Sequence, residues 1–164
     1  MIPVERQLKY RDEVMHFAPP PPARQDELRR QVELCDQLMA KLPDPGAFHL
    51  EHYFARGVYG RAIFIPKDCF LSGKIHKYPQ INVLVSGDLT VLTEAGPKRV
   101  TPPFIVLSPA GTKRLAFANE DTVWLTLIGT DETDPDKIER DFTAETTEEY
   151  LEFRRMIEEK GENP

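Results

Sequence analysis

The sequence has few of the features that mark secreted, membrane or nucleic-acid-binding proteins. It contains only two cysteines, Cys35 and Cys69, at a spacing that matches no metal motif, so we expect two reduced thiols, with one disulfide as the alternative. No apolar run reaches the roughly 18 residues that a membrane span requires. The charged N-terminus lacks the apolar core of a signal peptide. A net charge of −6 disfavours nucleic-acid binding, because phosphate recognition needs clustered Lys and Arg.

What the sequence does contain is typical of a globular protein that is not secreted. Charged residues make up 29% of the chain and hydrophobic residues 40%, which is an ordinary composition for a packed domain. A length of 164 residues suffices for one domain with extensions. We divide the chain into an N-terminal extension (residues 1–46), a β domain (47–130) and an acidic turn with a C-terminal helix (131–164).

Both extensions are predicted to contain a helix. The prolines at residues 19–22 predict an extended spacer, and an amphipathic helix follows over residues 23–42. Its apolar stripe consists of Leu28, Val32, Cys35, Met39 and Leu42, with Leu38 beside it, opposite the polar Arg29, Arg30, Glu33 and Asp36. The stripe must pack on the following domain, which we favour, or on a second copy of the chain. Thr146 and Glu149 have capping-box spacing and predict a C-terminal helix through Ile157.

The middle of the chain predicts consecutive short β-strands. Their expected bounds are 49–55, 58–65, 69–76, 80–86, 88–93, 98–100, 104–108, 114–118 and 122–128, with Gly-, Pro- and Asn-containing turns between them. Many short strands separated by turn residues indicate a β-sandwich or barrel. No helical pattern interrupts them, so a parallel sheet with crossover helices is disfavoured.

Residues 73–87 form the stretch around which the other strands are arranged. Ile81, Val83 and Val85 fall on one side of a strand, and Gln80, Asn82 and Leu84 fall on the other. We expect the apolar side to be buried and the polar side, together with His76, to line a cavity. Ser86, Gly87 and Asp88 supply the turn into the next strand.

This order of strands, with a histidine-bearing strand, a glycine turn and then the sequence Pro109-Ala110-Gly111, resembles the cupin superfamily. The resemblance implies that residues 47–130 form a double-stranded β-helix, or jelly roll. Together with the two predicted helices, the expected fold is mainly β, with an N-terminal amphipathic helix and a C-terminal helix.

The cupin motifs keep their glycines here but not their metal ligands. Counting back from Gly87, the acidic position falls on Gln80 and the two histidine positions on Lys74 and His76, while the histidine of the second motif falls on Arg114. Lysine and arginine are cations without an available lone pair near neutral pH, and a metal centre of this kind needs several nitrogen and oxygen ligands. We therefore expect no metal and no other cofactor.

The resemblance also implies that Lys74, His76, Gln80 and Arg114 converge on one cavity, with Tyr59, Arg61, Asn82 and Trp124 on strands that line it. Such a cavity suits an anionic or phosphorylated ligand. The cations are expected to lower the pKa of His76, which makes it the candidate catalytic residue, as a neutral general base. Three alternatives stay open: His76 is a hydrogen-bonded core histidine, the cations neutralise acidic neighbours such as Glu120 or Asp121, and Trp124 belongs to the core.

At a finer level the chain resembles an uncharacterised cupin-like family of tailed-phage proteins. The similarity lies in residues 57–59, 65–66, 73–77, 81–84, 111–114 and, most distinctively, 130–134. It implies no activity, but it places the protein in the cytoplasm of an infected host cell or in the virion, where other virion proteins are candidate partners.

Our functional hypothesis is a homo-oligomer, a dimer or larger, that binds a small anionic ligand or serves as an assembly module without a metal. The alternative is an enzyme of cupin type, either an isomerase-like catalyst of proton transfer at His76 or a metal-dependent catalyst. Two further schemes rank lower: a dyad of His76 with an acid such as Asp68 and the hydroxyl of Tyr78, and a Cys69 nucleophile. The substituted metal positions favour the non-catalytic hypothesis.

Overall fold

The structure is a computed structural model that describes residues 22–41 and 48–162. Most of the predicted proline spacer, and Leu42 at the end of the predicted first helix, lie outside these residues. The chain forms, in order, α1 (Pro22–Met39), β1 (His49–Ala55), β2 (Val58–Ile65), β3 (Phe70–Ser72), β4 (Ile75–His76), β5 (Gln80–Ser86), β6 (Leu89–Thr93), β7 (Gly96–Val100), β8 (Phe104–Ser108), β9 (Leu115–Ala118), β10 (Thr122–Ile128), α2 (Pro135–Phe142), β11 (Thr143–Ala144) and α3 (Thr147–Glu159).

The strands form two antiparallel sheets with the topology of a jelly roll. The larger sheet has the order β1-β2-β10-β5-β8 and the smaller one β3-β9-β6-β7, while β4 pairs with β11. The chain passes between the two sheets after β2, after β3 by way of β4, and after β5, β7, β8 and β9, which is the crossing pattern of a double-sheet jelly roll. The predicted mainly β fold, with a helix at each end, is confirmed.

The hydrophobic core fills the space between the inner faces of the two sheets. Ile65, Leu84 and Phe104 from the larger sheet pack against Leu89 and Val91 from the smaller one. Burying such side chains contributes roughly 1.5–3 kcal/mol each. This core closes one end of the barrel interior and leaves a cavity at the other.

The prediction that the apolar side of β5 is the buried side is wrong. Gln80 and Asn82 are 2% and 3% exposed, whereas Ile81 and Val85 are 45% and 51% exposed. The polar side of the strand faces the barrel interior, where Asn82 finds hydrogen-bond partners, and the apolar side lies on the outer surface. Polarity alone does not separate inside from outside in a barrel whose interior is partly polar.

One predicted strand, 69–76, is divided into β3 and β4. The chain leaves β9 after Ser72, and β4 pairs with β11 instead. The backbone of His76 is held by the turn at residues 111–112, because His76 N donates to Thr112 O (2.9 Å) and Gly111 N donates to His76 O (2.7 Å). The two motif segments therefore meet directly at His76.

The glycines of the two motif turns are required by geometry. Gly87 has φ +93°, and a Cβ there would lie 2.5 Å from Asp121 O and 2.6 Å from Thr122 Cα. Gly111 has φ +81°, and its Cβ would lie 2.8 Å from the Tyr150 hydroxyl. Residues other than glycine are strained at positive φ, and here the space for a side chain is also missing.

Helix α1 packs on the barrel, and its polar face takes part in that packing. Leu28 and Val32 are buried as expected, but Arg29, which was assigned to the polar face, is only 2% exposed. Arg29 Nη1 donates to Gly111 O at 2.7 Å, and its guanidinium lies 4.9 Å from the ring centre of Tyr150. Burial of an arginine is tolerated when its charge and donors are paired.

The two C-terminal helices complete the fold. Asp134 caps α2 by accepting hydrogen bonds from the backbone of Asp136 and Lys137, and Thr146 caps α3 by accepting one from Glu149 N, as predicted for α3. Within residues 22–41 and 48–162, no helix combines the length and apolar character that a membrane crossing requires.

Candidate functional site

The barrel encloses a cavity of about 270 Å³. Its inner end is apolar and is lined by residues that include Leu89, Val91, Phe104, Val106 and Trp124. Its outer end, near α2, is lined by polar and charged residues that include Arg61, Lys74, His76, Arg114 and Glu139. The cavity therefore offers a hydrocarbon-lined floor beneath a charged rim.

Asn82 organises the polar part of the cavity wall. Its Nδ2 donates to Ser108 Oγ at 3.0 Å, and its Oδ1 accepts from Thr126 Oγ1 at 2.7 Å and from Trp124 Nε1 at 3.2 Å. The two acceptor sites of Oδ1 are thereby filled, and Nδ2 uses one of its two N–H donors. Asn82 lines the cavity as predicted, but it acts by fixing the indole of Trp124 and two hydroxyls in place.

The cations at the rim are held by carboxylates. Lys74 pairs with Glu139 and, at 2.5 Å, with Glu145, and Arg61 pairs with Glu139 at 3.2 Å. The Lys74 ammonium lowers the pKa of Glu139, because it donates a hydrogen bond to the ionised carboxylate. Glu139 extends from α2 and lines the cavity, so one carboxylate joins two of the rim cations.

Arg114 has a different anchor. Its Nη1 donates to Glu94 Oε1 at 2.8 Å, and the Glu94 side chain is 9% exposed. The alternative that Lys74 and Arg114 are neutralised by acidic side chains is therefore confirmed, although the partners are Glu139, Glu145 and Glu94 rather than Glu120 or Asp121. Among the cavity-lining residues, Arg61, Lys74 and Arg114 are cationic and Glu139 is the acidic one. Glu94 and Glu145 pair with Arg114 and Lys74 from outside the lining, so three cations face three carboxylates.

His76 faces the cavity as a neutral imidazole. Burial, followed by the charges of Arg61 and Arg114, lowers its pKa to about 3. The predicted direction of this pKa shift is correct, but burial contributes more than the cations, and Arg61 rather than Lys74 accompanies Arg114. The Nδ1 atom of His76 is buried and has no hydrogen-bond partner within the described residues, so His76 is not a core histidine satisfied by its neighbours there.

Two residues predicted to bind a ligand lie away from the cavity lining. Tyr59 is buried beneath α2 with Ile128 and Ile138, and its hydroxyl is 2.7 Å from His52 Nδ1. Gln80 is buried on β5, and it does not reach the cavity surface. Lys74, His76, Asn82 and Arg114 are the predicted residues that the fold brings together, along with Arg61 and Trp124.

Asp68, Cys69 and Tyr78, which the lower-ranked catalytic schemes require besides His76, also lie outside the cavity lining. Tyr78 packs against the rings of Phe142 and Phe153, and Asp68 occupies a turn at φ +64°. Cys69 packs against the hydrophobic core. Cys35 and Cys69 are free thiols, so the disulfide alternative is not realised.

The donor set does not fit a cupin-type metal ion. Lys74 and Arg114 stand in ion pairs at two of the motif positions, and their charges would repel a metal ion. Gln80 is outside the cavity lining, which leaves one imidazole. Over residues 22–41 and 48–162, no three His, Cys, Asp or Glu side chains gather in a way that would hold a metal.

Sequence reasoning missed the acidic partners and two hydroxyl-bearing residues of the cavity lining, Ser72 and Thr126. Glu139 and Glu94 are distant in sequence from the cations that they bind, and no spacing pairs them in advance. Ser72, which lines the cavity, precedes the first motif without belonging to it. Thr126 was detectable from the sequence. It alternates with Leu125 and Leu127 along β10, so its side chain falls on the same side of the strand as that of Trp124.

No family model matches the chain, and neither does any curated protein. Among solved structures, KdgF from Halomonas sp. is 18% identical with a TM-score of 0.47, over 58% of this chain and 86% of that one. A double-stranded β-helix protein from Klebsiella pneumoniae is 12% identical with a TM-score of 0.47, over 63% and 84%. The cupin domain of an XRE-family transcriptional regulator from Enterobacter cloacae is 13% identical with a TM-score of 0.44, over 53% and 100%. At these identities the likeness concerns the fold alone.

Proposed function

We propose that this chain is a metal-independent binding module that holds a small anionic molecule inside a cupin-type barrel. The observation that carries the proposal is the cavity rim, where Arg61, Lys74 and Arg114 surround a single lining carboxylate, Glu139. Guanidinium and ammonium groups make strong charge-assisted hydrogen bonds to anionic oxygens. Because the cations lie at a partly buried site, their attraction is screened less than it would be in open solvent.

Arg114 is able to bind a second anion while it stays paired with Glu94. Its hydrogen bond to Glu94 uses Nη1, whereas a guanidinium has five N–H donors in a fixed planar fork. Glu94 holds the fork in position from one side while Arg114 also lines the cavity. A preorganised cation loses less conformational entropy on binding a ligand than a free side chain does.

The chemistry of His76 supports binding over catalysis. A general base works best when its pKa lies near the working pH, and the pKa of His76 is lowered to about 3. Such an imidazole stays neutral but accepts a proton weakly, so it serves as a hydrogen-bonding group rather than as the base of a proton transfer. The enzymatic alternative would need a different residue to take the proton.

The proposal is tested by thermal stability measurements with panels of carboxylates, sugar phosphates and nucleotides on the full chain. We expect at least one anion to raise the Tm of the native protein and to lose this effect in Arg114→Gln. The double variant Arg114→Gln/Glu94→Gln is the control, because it removes the cation without leaving Glu94 buried and unpaired. A native protein that responds to no anion would contradict the proposal.

We also propose that the chain forms homo-oligomers, at least dimers, through the outer face of the larger sheet. That face carries exposed apolar side chains on β5 and β8, among them Ile81, Val85, Ile105 and Leu107, and Tyr53 on β1. Contiguous apolar surface of this kind marks interaction sites, and a two-fold dimer would bury the same face on both copies.

Sedimentation velocity of native protein and of Ile105→Lys tests the oligomer proposal. Ile105 is 44% exposed and lies outside the cavity lining, so the charge should block association without disturbing the core or the cavity. Leu151→Lys on α3, where Leu151 is 43% exposed, is the matched control and should leave the assembly unchanged. A native monomer at high concentration would rule this interface out.

We further propose that the chain is a phage-type protein that acts in the infected cell or in the virion. Other virion proteins are its candidate partners. It is supported by the resemblance over residues 130–134, where Asp134 caps α2 and Asp131 accepts a hydrogen bond from Gly57 N at 2.8 Å. Detection of this chain by mass spectrometry in purified particles would assign it to the virion. Detection only in infected-cell lysate would make it an accessory protein, and detection in uninfected cells alone would refute the phage-type assignment.

A further inference from the structure

The charged rim and the apolar floor of the cavity follow one another along β9 and the residue before it. Arg114 immediately precedes β9, and Gly73 N donates to Arg114 O at 3.0 Å, which extends the ladder of β3 and β9 by one residue. Arg114 and Ala116 are two positions apart, so their side chains point to the same side, and both line the cavity. Two positions of a strand span roughly 6.6 Å, so apolar wall begins close behind the cation.

The larger sheet repeats this order from the other side of the cavity. Arg61 and Ile63 are two positions apart on β2, and both line the cavity. Arg61 is paired with Thr126 and Ile63 with Trp124, so the indole of Trp124 lies at the level of the apolar floor. A molecule that enters from the rim therefore meets cations first and hydrocarbon second on both sheets.

Each sheet contributes an apolar row to the floor. Across the smaller sheet, Ala116 is paired with Leu71 on one side and with Val91 on the other, and all three residues line the cavity. Across the larger sheet, the Phe104 and Trp124 rings both line the cavity, with their centroids 6.4 Å apart. The floor is thus hydrocarbon on two opposite faces.

The exposure of the side chains shows that the cavity opens at the rim. The side chains of Arg61, Lys74 and Glu139 are about one third exposed, whereas Val91 and Phe104 are buried. A ligand that fills the cavity therefore leaves its charged group near solvent and buries its apolar part, and this burial of hydrocarbon favours binding.

The uncharged polar side chains of the larger sheet that line the cavity are bonded to one another. Asn82 is bonded to Ser108, Thr126 and the Trp124 indole, so each of these four side chains has a hydrogen bond within the wall. A hydrocarbon body next to them leaves none of them without a partner. The hydroxyl groups of a sugar would instead lie against the apolar floor without partners of their own, which is costly.

The charge at the rim suits a ligand that carries one carboxylate. The three rim cations are already paired with three carboxylates. Arg114 bonds to Glu94 through Nη1 and keeps further N–H donors, from which one ligand carboxylate can accept. A phosphate ester would bring a charge of about −1.5 to −2 among those carboxylates, and an ammonium group would stand beside the rim cations.

We infer that the ligand of the proposed site is a monocarboxylic acid with a hydrocarbon body, about eight carbons in all. The carboxylate binds the Arg114 guanidinium at the rim, and the hydrocarbon body lies on the floor between the two sheets. The size follows from the cavity volume of about 270 Å³, which equals roughly nine water molecules at about 30 Å³ each. This inference rests on the proposed function, since it specifies the anion that the cavity takes.

Isothermal titration calorimetry of the full chain with straight-chain carboxylates from butanoate to dodecanoate tests the inference. We expect the affinity to rise about fourfold for each methylene that is buried, up to about octanoate, and then to level off because the cavity is full. Octan-1-ol, which lacks the charge, and butanedioate, which lacks the apolar body, should each bind at least about tenfold more weakly than octanoate. An affinity that does not depend on chain length would overturn the inference.

The variant Ala116→Val tests whether the hydrocarbon body lies on the floor. The larger side chain takes up space in the cavity, so the tightest-binding acid should become shorter by about two carbons, with octanoate weakened and hexanoate not. Ala55→Val at the exposed end of β1 is the matched control and should leave the series unchanged. An unchanged dependence on chain length in a folded Ala116→Val would overturn the inference, and if this variant fails to fold, the series on native protein decides alone.

The same titrations distinguish failure of the inference from failure of the proposed function. If a sugar phosphate or nucleotide of the thermal panel raises the Tm and octanoate does not bind, the anion-binding function stands and the ligand class is wrong. If octan-1-ol binds as tightly as octanoate, the cavity takes apolar molecules whatever their charge, and both are wrong. Both are also wrong if no compound binds and no anion raises the Tm.

Discussion

The same pair of sequence motifs supplies two parts of the molecule on which different constraints act. One part is the two turns that contain Gly87 and Gly111, and the other is the cavity wall that contains Lys74, His76 and Arg114. At the turns a side chain would meet neighbouring atoms closer than 3 Å at a positive φ. At the wall the side chains make ion pairs with residues from other elements. Backbone geometry restricts which residues can occupy the turns, and charge pairing restricts which residues can occupy the cavity wall.

This difference separates the fold of the jelly-roll barrel from the chemistry of its interior. The turns need glycine whatever the barrel binds, because the restriction arises from φ and from the packing of Asp121, Thr122 and Tyr150. The wall tolerates any side chains that satisfy one another, so the chemistry of the cavity can vary while the turns stay the same.

The largest expected effect is that of Gly87→Ala. Its Cβ would meet backbone atoms of Asp121 and Thr122, which cannot move aside as a side-chain end can, so we expect a loss of more than about 3 kcal/mol in the free energy of unfolding. Gly96→Ala is the control, because Gly96 has φ +103° and open space around it, and it should cost only about 1–2 kcal/mol. Urea denaturation measures both, and equal losses would show that close packing at Gly87 is unimportant.

Gly111→Ala should fall between those two variants. The Cβ would lie 2.8 Å from the Tyr150 hydroxyl and 2.9 Å from Arg29 Nη1, and both are ends of flexible side chains. We expect a loss of about 2–3 kcal/mol together with faster hydrogen exchange in α1, since Arg29 anchors that helix to Gly111 O. A loss as large as that of Gly87→Ala, with α1 undisturbed, would contradict this explanation.

The cavity wall predicts a pH dependence of stability from His76. Its pKa is about 3 in the fold against 6.5 ordinarily, so between these values the unfolded chain binds a proton that the folded chain does not. Stability must then fall as the pH falls below 6.5, with a slope of up to about 1.4 kcal/mol per pH unit.

Urea denaturation between pH 7 and roughly pH 5 isolates this effect. Over this interval native protein should lose about 2 kcal/mol that His76→Gln does not lose. The carboxylates with lowered pKa, such as Glu139, titrate below the interval. Parallel curves for the two proteins would mean that His76 is not kept neutral by its surroundings.

The smallest expected effect belongs to the rim carboxylate. Glu139→Gln removes the negative charge that holds Arg61 and Lys74, so an incoming anion no longer competes with it and should bind about tenfold more tightly. Glu145→Gln is the control, because Glu145 is 67% exposed and lies outside the cavity lining. Calorimetry with the anion that raises the Tm most in the thermal panel measures both, and weaker binding by Glu139→Gln would show that the ligand needs the carboxylate.

The fold was predictable from local patterns to a large extent. Alternating strands such as β10, the turn at Gly87 and the Thr146 cap are local signals that survive folding. The division of residues 69–76 was not predictable, because it depends on the pairing of β4 with β11, which follows much later in the chain. The burial of Arg29 was missed for the same reason, since its partner Gly111 is distant in sequence.

The site was predictable only where a motif position and a strand face agree. Lys74, His76 and Arg114 came from the motif resemblance, and Asn82 from the alternation of β5. Tyr59 was misplaced because α2, which covers it, has no sequence signal that specifies its docking. Glu139 was missed because ion pairing across about 65–78 residues of chain leaves no periodic trace.

Fluorescence of Trp124 tests most directly the claim that this cavity binds an anion. The chain contains one tryptophan, and its indole lines the cavity with Nε1 held 3.2 Å from Asn82 Oδ1, so its emission reports on this site. We predict a saturable change in emission when the anion that raises the Tm most is added to native protein, and the loss of this change in Arg114→Gln/Glu94→Gln. No saturable change, or one that persists unaltered in the double variant, would contradict the claim.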